Sequence, residues 1–155
     1  FIAAAVVGAF EDTIARFTAL AVLLPVVAGQ SGNTGAQSLA VTMRGLTLHE
    51  IGLREWLVVV TKEASVGLLN GVAVAIVTML GVYAWSGSAG LSAVIGVAMV
   101  LSMTVAAASG AAVPLVLRAL GQDPAQSSSI VLTTVTDVMG FLSFLGLASA
   151  FSAFL

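Results

Sequence analysis

Long apolar tracts alternate with short polar breaks along this chain, on a scale set by membrane thickness rather than by a water-soluble core. From Ala64 to Leu117 no residue is charged, which is more than twice the roughly 20 residues that one bilayer crossing requires. The tract therefore folds back on itself. Ser86, Gly87, Ser88, Ala89 and Gly90 supply the reversal, because small residues meet the dihedral demands of a tight turn at low cost. Tyr83 and Trp85, just before it, are aromatic anchors for a membrane interface.

Read this way, the pattern predicts a partial helix over Phe1–Phe10 and further helices over Thr13–Met43, Lys62–Ala84, Gly90–Leu117 and Ser127–Ala153. Glu11 and Asp12 end the first, which is expected to be the back half of a longer span. If continuous, the Thr13–Met43 helix would measure roughly 46 Å against a hydrocarbon core of about 30 Å, so it must tilt, kink or project. Arg44, His49, Glu50, Arg54, Glu55, Lys62 and Glu63 concentrate charge in the next connection, which belongs on a water side. Gly121, Asp123 and Pro124 mark a helix stop and restart, with Asp123 as the cap and Pro124 in the first turn.

Composition sharpens this picture. The 155 residues are 59% hydrophobic and 8% charged, with a mean hydropathy of +1.14, whereas soluble domains carry about a quarter charged residues. The fold expected is all-α and integral to a membrane, one domain over residues 1–155 with five crossings per subunit, the first partial. Arg44, Arg54, Lys62 and Arg118 fall on one side of that arrangement and Arg16 on the other. The positive-inside tendency makes the first group cytoplasmic, placing the amino end inside a cell membrane and the carboxyl end outside. The absence of cysteine rules out disulfides and thiolate metal sites, and no basic or aromatic cluster suits nucleic acid. The first ten residues lack the basic leader of a cleaved signal.

Against this background one carboxylate stands out. Asp137 is the single charge from Ser127 to Leu155, and an acidic group so deep in an apolar tract persists mostly where it faces a bundle interior or a hydrated path. Ser129, Thr133, Thr136 and Gly140 share its stripe at helical spacing. The plainer alternative is a carboxyl held neutral or bonded to Asn70 or Arg16 of a neighbouring helix. A second unusual segment runs from Pro25 to Ser38. Pro25 frees the Ala21 carbonyl, Gly29, Gly32 and Gly35 bare one helix face, and Gln30, Asn33 and Gln37 add amides at spacings of three and four. That face serves either close helix packing or permeation.

An inventory of carboxylate, amide, hydroxyl and carbonyl oxygens, with one histidine and no cysteine, suits a hard cation such as magnesium. A symmetric dimer would bring two Asp137 carboxylates to one axis. Glu11 and Asp12 form either an acidic outer mouth or, through Asp12 and Arg16, a helix-surface pair. His49 reads as a solvated interfacial residue, and Gly29 to Gly35 lacks the lysine of a phosphate loop.

At Pro25 to Gln37 and at Thr133-Thr-Val-Thr-Asp137-Val-Met-Gly140 the chain resembles the MgtE family of magnesium channels and its eukaryotic solute-carrier relatives, with Arg44-Gly45-Leu46 and Gly121-Gln-Asp123-Pro124 extending the match. The resemblance implies a homodimer in the lipid bilayer, five transmembrane helices per subunit, and a central pore lined by the second and fifth. It assigns hydrated Mg2+ to the position of Asp137, helped by Asn33 and by carbonyls near Thr133. Gly29 and Gly32 fall at close-approach positions of the pore helix. Pro25, Gly35, Gln37, Ser129, Thr136 and Gly140 complete the expected pore lining. Bacterial members usually also carry a cytoplasmic amino-terminal domain and a nucleotide-binding-type regulatory module; neither lies within these residues, so either they are the membrane part of such a protein or this is a minimal member regulated otherwise.

The function expected is therefore a channel moving hydrated Mg2+ down its gradient, with Mn2+ or Co2+ as substitutes. The alternative is an exchanger coupled to sodium or protons. An intramembrane protease is disfavoured, since aspartyl types need two buried aspartates and serine types a buried Ser and His, whereas this chain pairs one buried Asp with an interfacial His49.

Overall fold

In the computed structural model, residues 1–155 are described throughout, except for the side chains of Gln126 and Ser127. The expected start of the last span at Ser127 therefore touches a side chain outside the described residues. Every regular element described is helical. The order is α1 (Ile2–Gly8), α2 (Glu11–Arg16), α3 (Ala19–Thr47), α4 (Trp56–Ser86), α5 (Ala89–Ala119) and α6 (Pro124–Ala150), with single 3-10 turns at Leu53–Glu55 and Ser152–Phe154.

The long apolar stretch expected to run from Thr13 is divided. Phe17 leaves helical geometry at φ −125° and ψ 76°, so α2 is a separate short helix and α3 begins at Ala19. Glu11 and Asp12 sit in the first turn of α2 and Arg16 in its last, each where the helix dipole favours its charge. At the other end α3 runs past Met43 to Thr47 and closes on His49, which adopts φ 59°. Glu50 and Ile51 then donate backbone hydrogen bonds to the Gly45 carbonyl at 2.9 and 3.2 Å. This is a left-handed helix stop at a position glycine usually fills, so His49 ends a helix by its backbone.

The charged connection is shorter than the sequence suggests, because α4 starts at Trp56 and takes in Lys62 and Glu63. Between α4 and α5 only Gly87, at φ 69°, and Ser88 remain outside helix. The Ser88 hydroxyl accepts from the Leu91 amide at 3.1 Å as the cap of α5. Gly121 at φ 72° stops α5, and Asp123 caps α6 by accepting from the Ala125 amide at 2.9 Å. Pro124 opens α6, where its missing donor leaves no bond unmade.

Three of these segments, Leu53–Ser86, Ala89–Ala119 and Ser128–Ala150, are long and apolar enough to cross a membrane. The seven-residue α1 is too short, and α3 has the length, at 29 residues, but carries the polar run from Gln30 to Ser38.

Helix α5 is the hub, packed against α3, α4 and α6, while α3 and α4 scarcely meet. Its buried side chains are largely small: Ala98, Ser102, Ala106, Ala107 and Ala111 beside Gly96 and Gly110. Lipid tails are as apolar as leucine, so helices in a membrane gain from close backbone approach rather than from apolar burial alone. A β-carbon added at Gly67 of α4 would stand 2.7 Å from the Met103 carbonyl, and one at Gly71 would stand 3.0 Å from the Val100 Cα. Two hydroxyls tie the hub to its neighbours: Ser38 donates to the Ala107 carbonyl at 2.7 Å and Ser92 to the Met79 carbonyl at 2.8 Å. Leu20, Leu23 and Val27 of α3 join Ile95 and Met99 of α5 and Phe144, Leu145 and Ala148 of α6 in the main apolar core.

Candidate functional site

The site is organised by the crossing of α3 and α6. A β-carbon at Gly140 would lie 3.3 Å from the Ser31 hydroxyl, and one at Gly35 would lie 3.1 Å from the Thr136 methyl and 3.3 Å from Leu132. The helices therefore run antiparallel here, and Asp137, between Thr136 and Gly140, stands level with the Ser31 to Gly35 turn. Asn33 and Gly32 belong to that turn. Asp137 is also the midpoint of α6, about 20 Å of helix rise from either end.

The carboxylate is half-buried, and among the described residues no cation or hydrogen-bond donor of its own subunit engages it. Neither neighbour suggested by the sequence does so. Arg16 lies over the Phe17 ring, 5.2 Å from its centroid, a cation–π arrangement in place of a pairing with Asp12. Asn70 lines a separate cleft between α3 and α4.

The expected site residues divide into two sets. Pro25, Gly29, Asn33 and Gln37 are exposed along α3, and Gly32 is half-buried. Space is open at Gly29 and Gly32, where an added β-carbon would meet nothing within 4 Å. On α6, Ser129 and Thr133 are exposed, and the Thr133 hydroxyl is turned back onto the Ser129 carbonyl at 2.9 Å. The Thr133 carbonyl accepts from the Thr136 hydroxyl at 3.1 Å. Thr136, Gly140 and Gly35 belong to the other set: they are covered within the subunit. All three lie at the α3–α6 seam, where an added β-carbon at Gly35 or Gly140 would meet the other helix. Glu11 and Asp12 are exposed on α2, apart from this crossing.

The arrangement offers a lone carboxylate at mid-helix beside a face bared by glycine and dotted with amides. Among the described residues no three His, Cys, Asp or Glu side chains converge on one point, so these side chains build no cage for a dehydrated ion. A hydrated ion needs none, because magnesium keeps several waters and meets proteins through one or two carboxylates.

Sequence reasoning missed the cleft between α3 and α4. About 560 Å³ in volume, it is lined by Gln30, Asn33 and Gln37 on one side and by Asn70 on the other. The signal was available in the spacing of Glu63 and Asn70, two turns apart on one helix face, but the facing of α4 toward α3 was not.

The family model described as a divalent cation transporter, MgtE, matches residues 24–147. The chain is 39% identical over 147 residues to the magnesium transporter MgtE of Thermus thermophilus, covering 95% of this chain and 32% of that protein. It is 32% identical over 150 residues to the magnesium transporter MgtE of Bacillus subtilis, covering 97% of this chain and 33% of the relative. The namesake from Enterococcus faecalis is also 32% identical, over 148 residues. The chain thus spans about a third of the length of these curated relatives.

Proposed function

Since the chain belongs to the MgtE family of divalent cation transporters, we propose that it carries hydrated Mg2+ across a membrane, as a channel conducting down the electrochemical gradient. Two copies would form the pore, with five spans each and the exposed α3 face and Asp137 of both subunits toward a shared axis. Arg44, Arg54, Lys62 and Arg118 would mark the cytoplasmic end. Asp137 would bind the ion through its water shell, with Asn33 and the Thr133 region as further contacts; Mn2+ and Co2+, similarly hydrated, would substitute. Glu11 and Asp12 would raise the local cation concentration at the outer end.

One observation carries this reading: a carboxylate at the centre of an apolar helix, without a counter-charge among the described residues of its subunit and level with a glycine-bared face. At about 5 Å, the separation expected with one water between carboxylate and metal, attraction to a divalent ion is roughly 1.7 kcal/mol in bulk water and about 6.6 at an effective dielectric near 20. The smaller value already changes ion occupancy by roughly 15-fold.

The test is Mg2+ uptake into proteoliposomes followed by an entrapped indicator. Asp137→Asn should lose at least that factor in flux while keeping its elution profile in detergent. Wild-type uptake by this variant would overturn the assignment. Flux through the native chain should be indifferent to imposed proton and sodium gradients, whereas a coupled exchanger would follow them.

A further inference from the structure

The cleft between α3 and α4 continues beyond Asn33. A second cavity of about 270 Å³ adjoins the first, sharing Thr34, Gln37 and Asn70 with it and ending at Glu63. Met103 and Ala107 of α5 form the floor. Seven positions separate Gln30 from Gln37 and Glu63 from Asn70, about two turns or roughly 10.5 Å, so each pair lies along one helix face. Polar side chains of two helices thus confront each other across a gap that their poor mutual contact leaves open.

These groups are not equally engaged. The Thr34 hydroxyl donates to the Gln30 carbonyl at 2.9 Å and the Ser38 hydroxyl to Ala107, so both hydroxyls are satisfied locally. Among the described residues, the Gln30, Asn33, Gln37 and Asn70 amides and the Glu63 carboxylate make no side-chain hydrogen bond across the cleft. Lipid tails offer polar groups no partners, and irregularly satisfied polar surface at membrane depth is tolerated where it meets water or protein. Room for water exists. Six waters at about 30 Å³ each occupy roughly 180 Å³, which either cavity exceeds. Among the described residues Glu63 is the one charged residue lining either cavity; Lys62, its neighbour in sequence, lines neither.

We propose that the α3–α4 cleft is a hydrated vestibule in which Glu63 binds a second divalent cation through its water shell, with the Asn70 and Gln37 amides as outer-sphere partners. Asn33 lines the cleft and belongs to the α3 turn level with Asp137, and on this proposal the vestibule joins the permeation path at that level. The inference rests on the permeation reading for Asp137.

The native chain has no cysteine, so single introduced thiols can be probed without background. In proteoliposomes of the full chain, Asn70→Cys and, as a second cleft position, Ala73→Cys are exposed to a positively charged, membrane-impermeant methanethiosulfonate. Val77→Cys serves as the comparison, being 71% exposed on α4 yet outside the cleft. Only a hydrated thiol yields the reactive thiolate, so the cleft positions should react at least about 100-fold faster than Val77→Cys. Millimolar Mg2+ should slow that reaction, and adding Glu63→Gln should abolish the protection without abolishing the labelling. Cleft thiols as slow as Val77→Cys would show the gap covered by lipid or a second subunit, and would overturn the vestibule. Labelling whose Mg2+ protection survives Glu63→Gln, or is absent from the start, would overturn the cation site. Labelling does not depend on conduction. Normal uptake by Asp137→Asn would remove the permeation reading whatever the thiols show, whereas a dead Asp137→Asn with unreactive cleft thiols would remove the vestibule alone.

Discussion

Gly110→Ala is expected to unseat α3, and the size of the effect follows from the contact it disturbs. The new β-carbon would lie 2.9 Å from the Ser38 Cβ and 3.0 Å from the Leu39 backbone nitrogen, with the Gly35 carbonyl oxygen nearer still. Two of those three partners are backbone atoms, so the clash cannot be relieved by a rotamer change; α3 must move away from α5. Overpacking of this kind costs about 1–3 kcal/mol. A retreat of α3 also stretches the Ser38–Ala107 hydrogen bond, worth roughly 0.6 kcal/mol inside a membrane. Against this, alanine gains up to about 1 kcal/mol over glycine in helix propensity. The net expectation is a loss of about 0.6–2.6 kcal/mol.

Gly32→Ala is the matched comparison, since its β-carbon would meet nothing within 4 Å. It should retain or slightly gain stability through propensity alone, yet reduce Mg2+ flux if the open face carries the ion. Reversible unfolding in mixed micelles, followed by far-UV circular dichroism, measures the first quantity, and proteoliposome uptake the second. If Gly110→Ala proved as stable as Gly32→Ala, backbone contact between α3 and α5 would not be what holds the pore helix in place.

Two further perturbations probe the scaffold by the same unfolding assay. Thr42 is fully buried and its hydroxyl is without a hydrogen-bond partner among the described residues, so Thr42→Val should stabilise by about 1 kcal/mol, because it removes an unsatisfied group at nearly constant volume. Asp123→Ala deletes the cap of α6 and should lower stability by about 1 kcal/mol, with Asp123→Asn recovering most of it.

Much of the helical plan was legible because the chain punctuates it. A tract without charge from Ala64 to Leu117, interrupted by Ser86 to Gly90, leaves little choice but a hairpin, and Asp123-Pro124 announces a helix start by its chemistry. Asp137 was legible for a similar reason, as a lone charge in an apolar tract. The break at Phe17 was not. Neither proline nor glycine marks it, and Ala15, Arg16, Ala19 and Leu20 around it are good helix formers.

The division of the site was equally hidden. Residues three apart sit about 60° from each other around a helix, so Ser129, Thr133 and Asp137 separate from Thr136 and Gly140 although all five fit one stripe on paper. Which stripe is covered depends on where α3 crosses, a tertiary fact. The cleft ending at Glu63 is less accessible still, because it exists only where two helices lean on a third without touching each other.

The sheathing of α5 bears on how genetic data from such a protein should be read. Random mutagenesis scored by lost uptake will return many alleles in this helix, since most of its faces admit no extra atom. Those alleles will report failed assembly and low abundance, and they will outnumber changes at the residues an ion meets. Mapping function by frequency of loss would therefore point to a helix that supplies none of the side chains proposed to bind the ion.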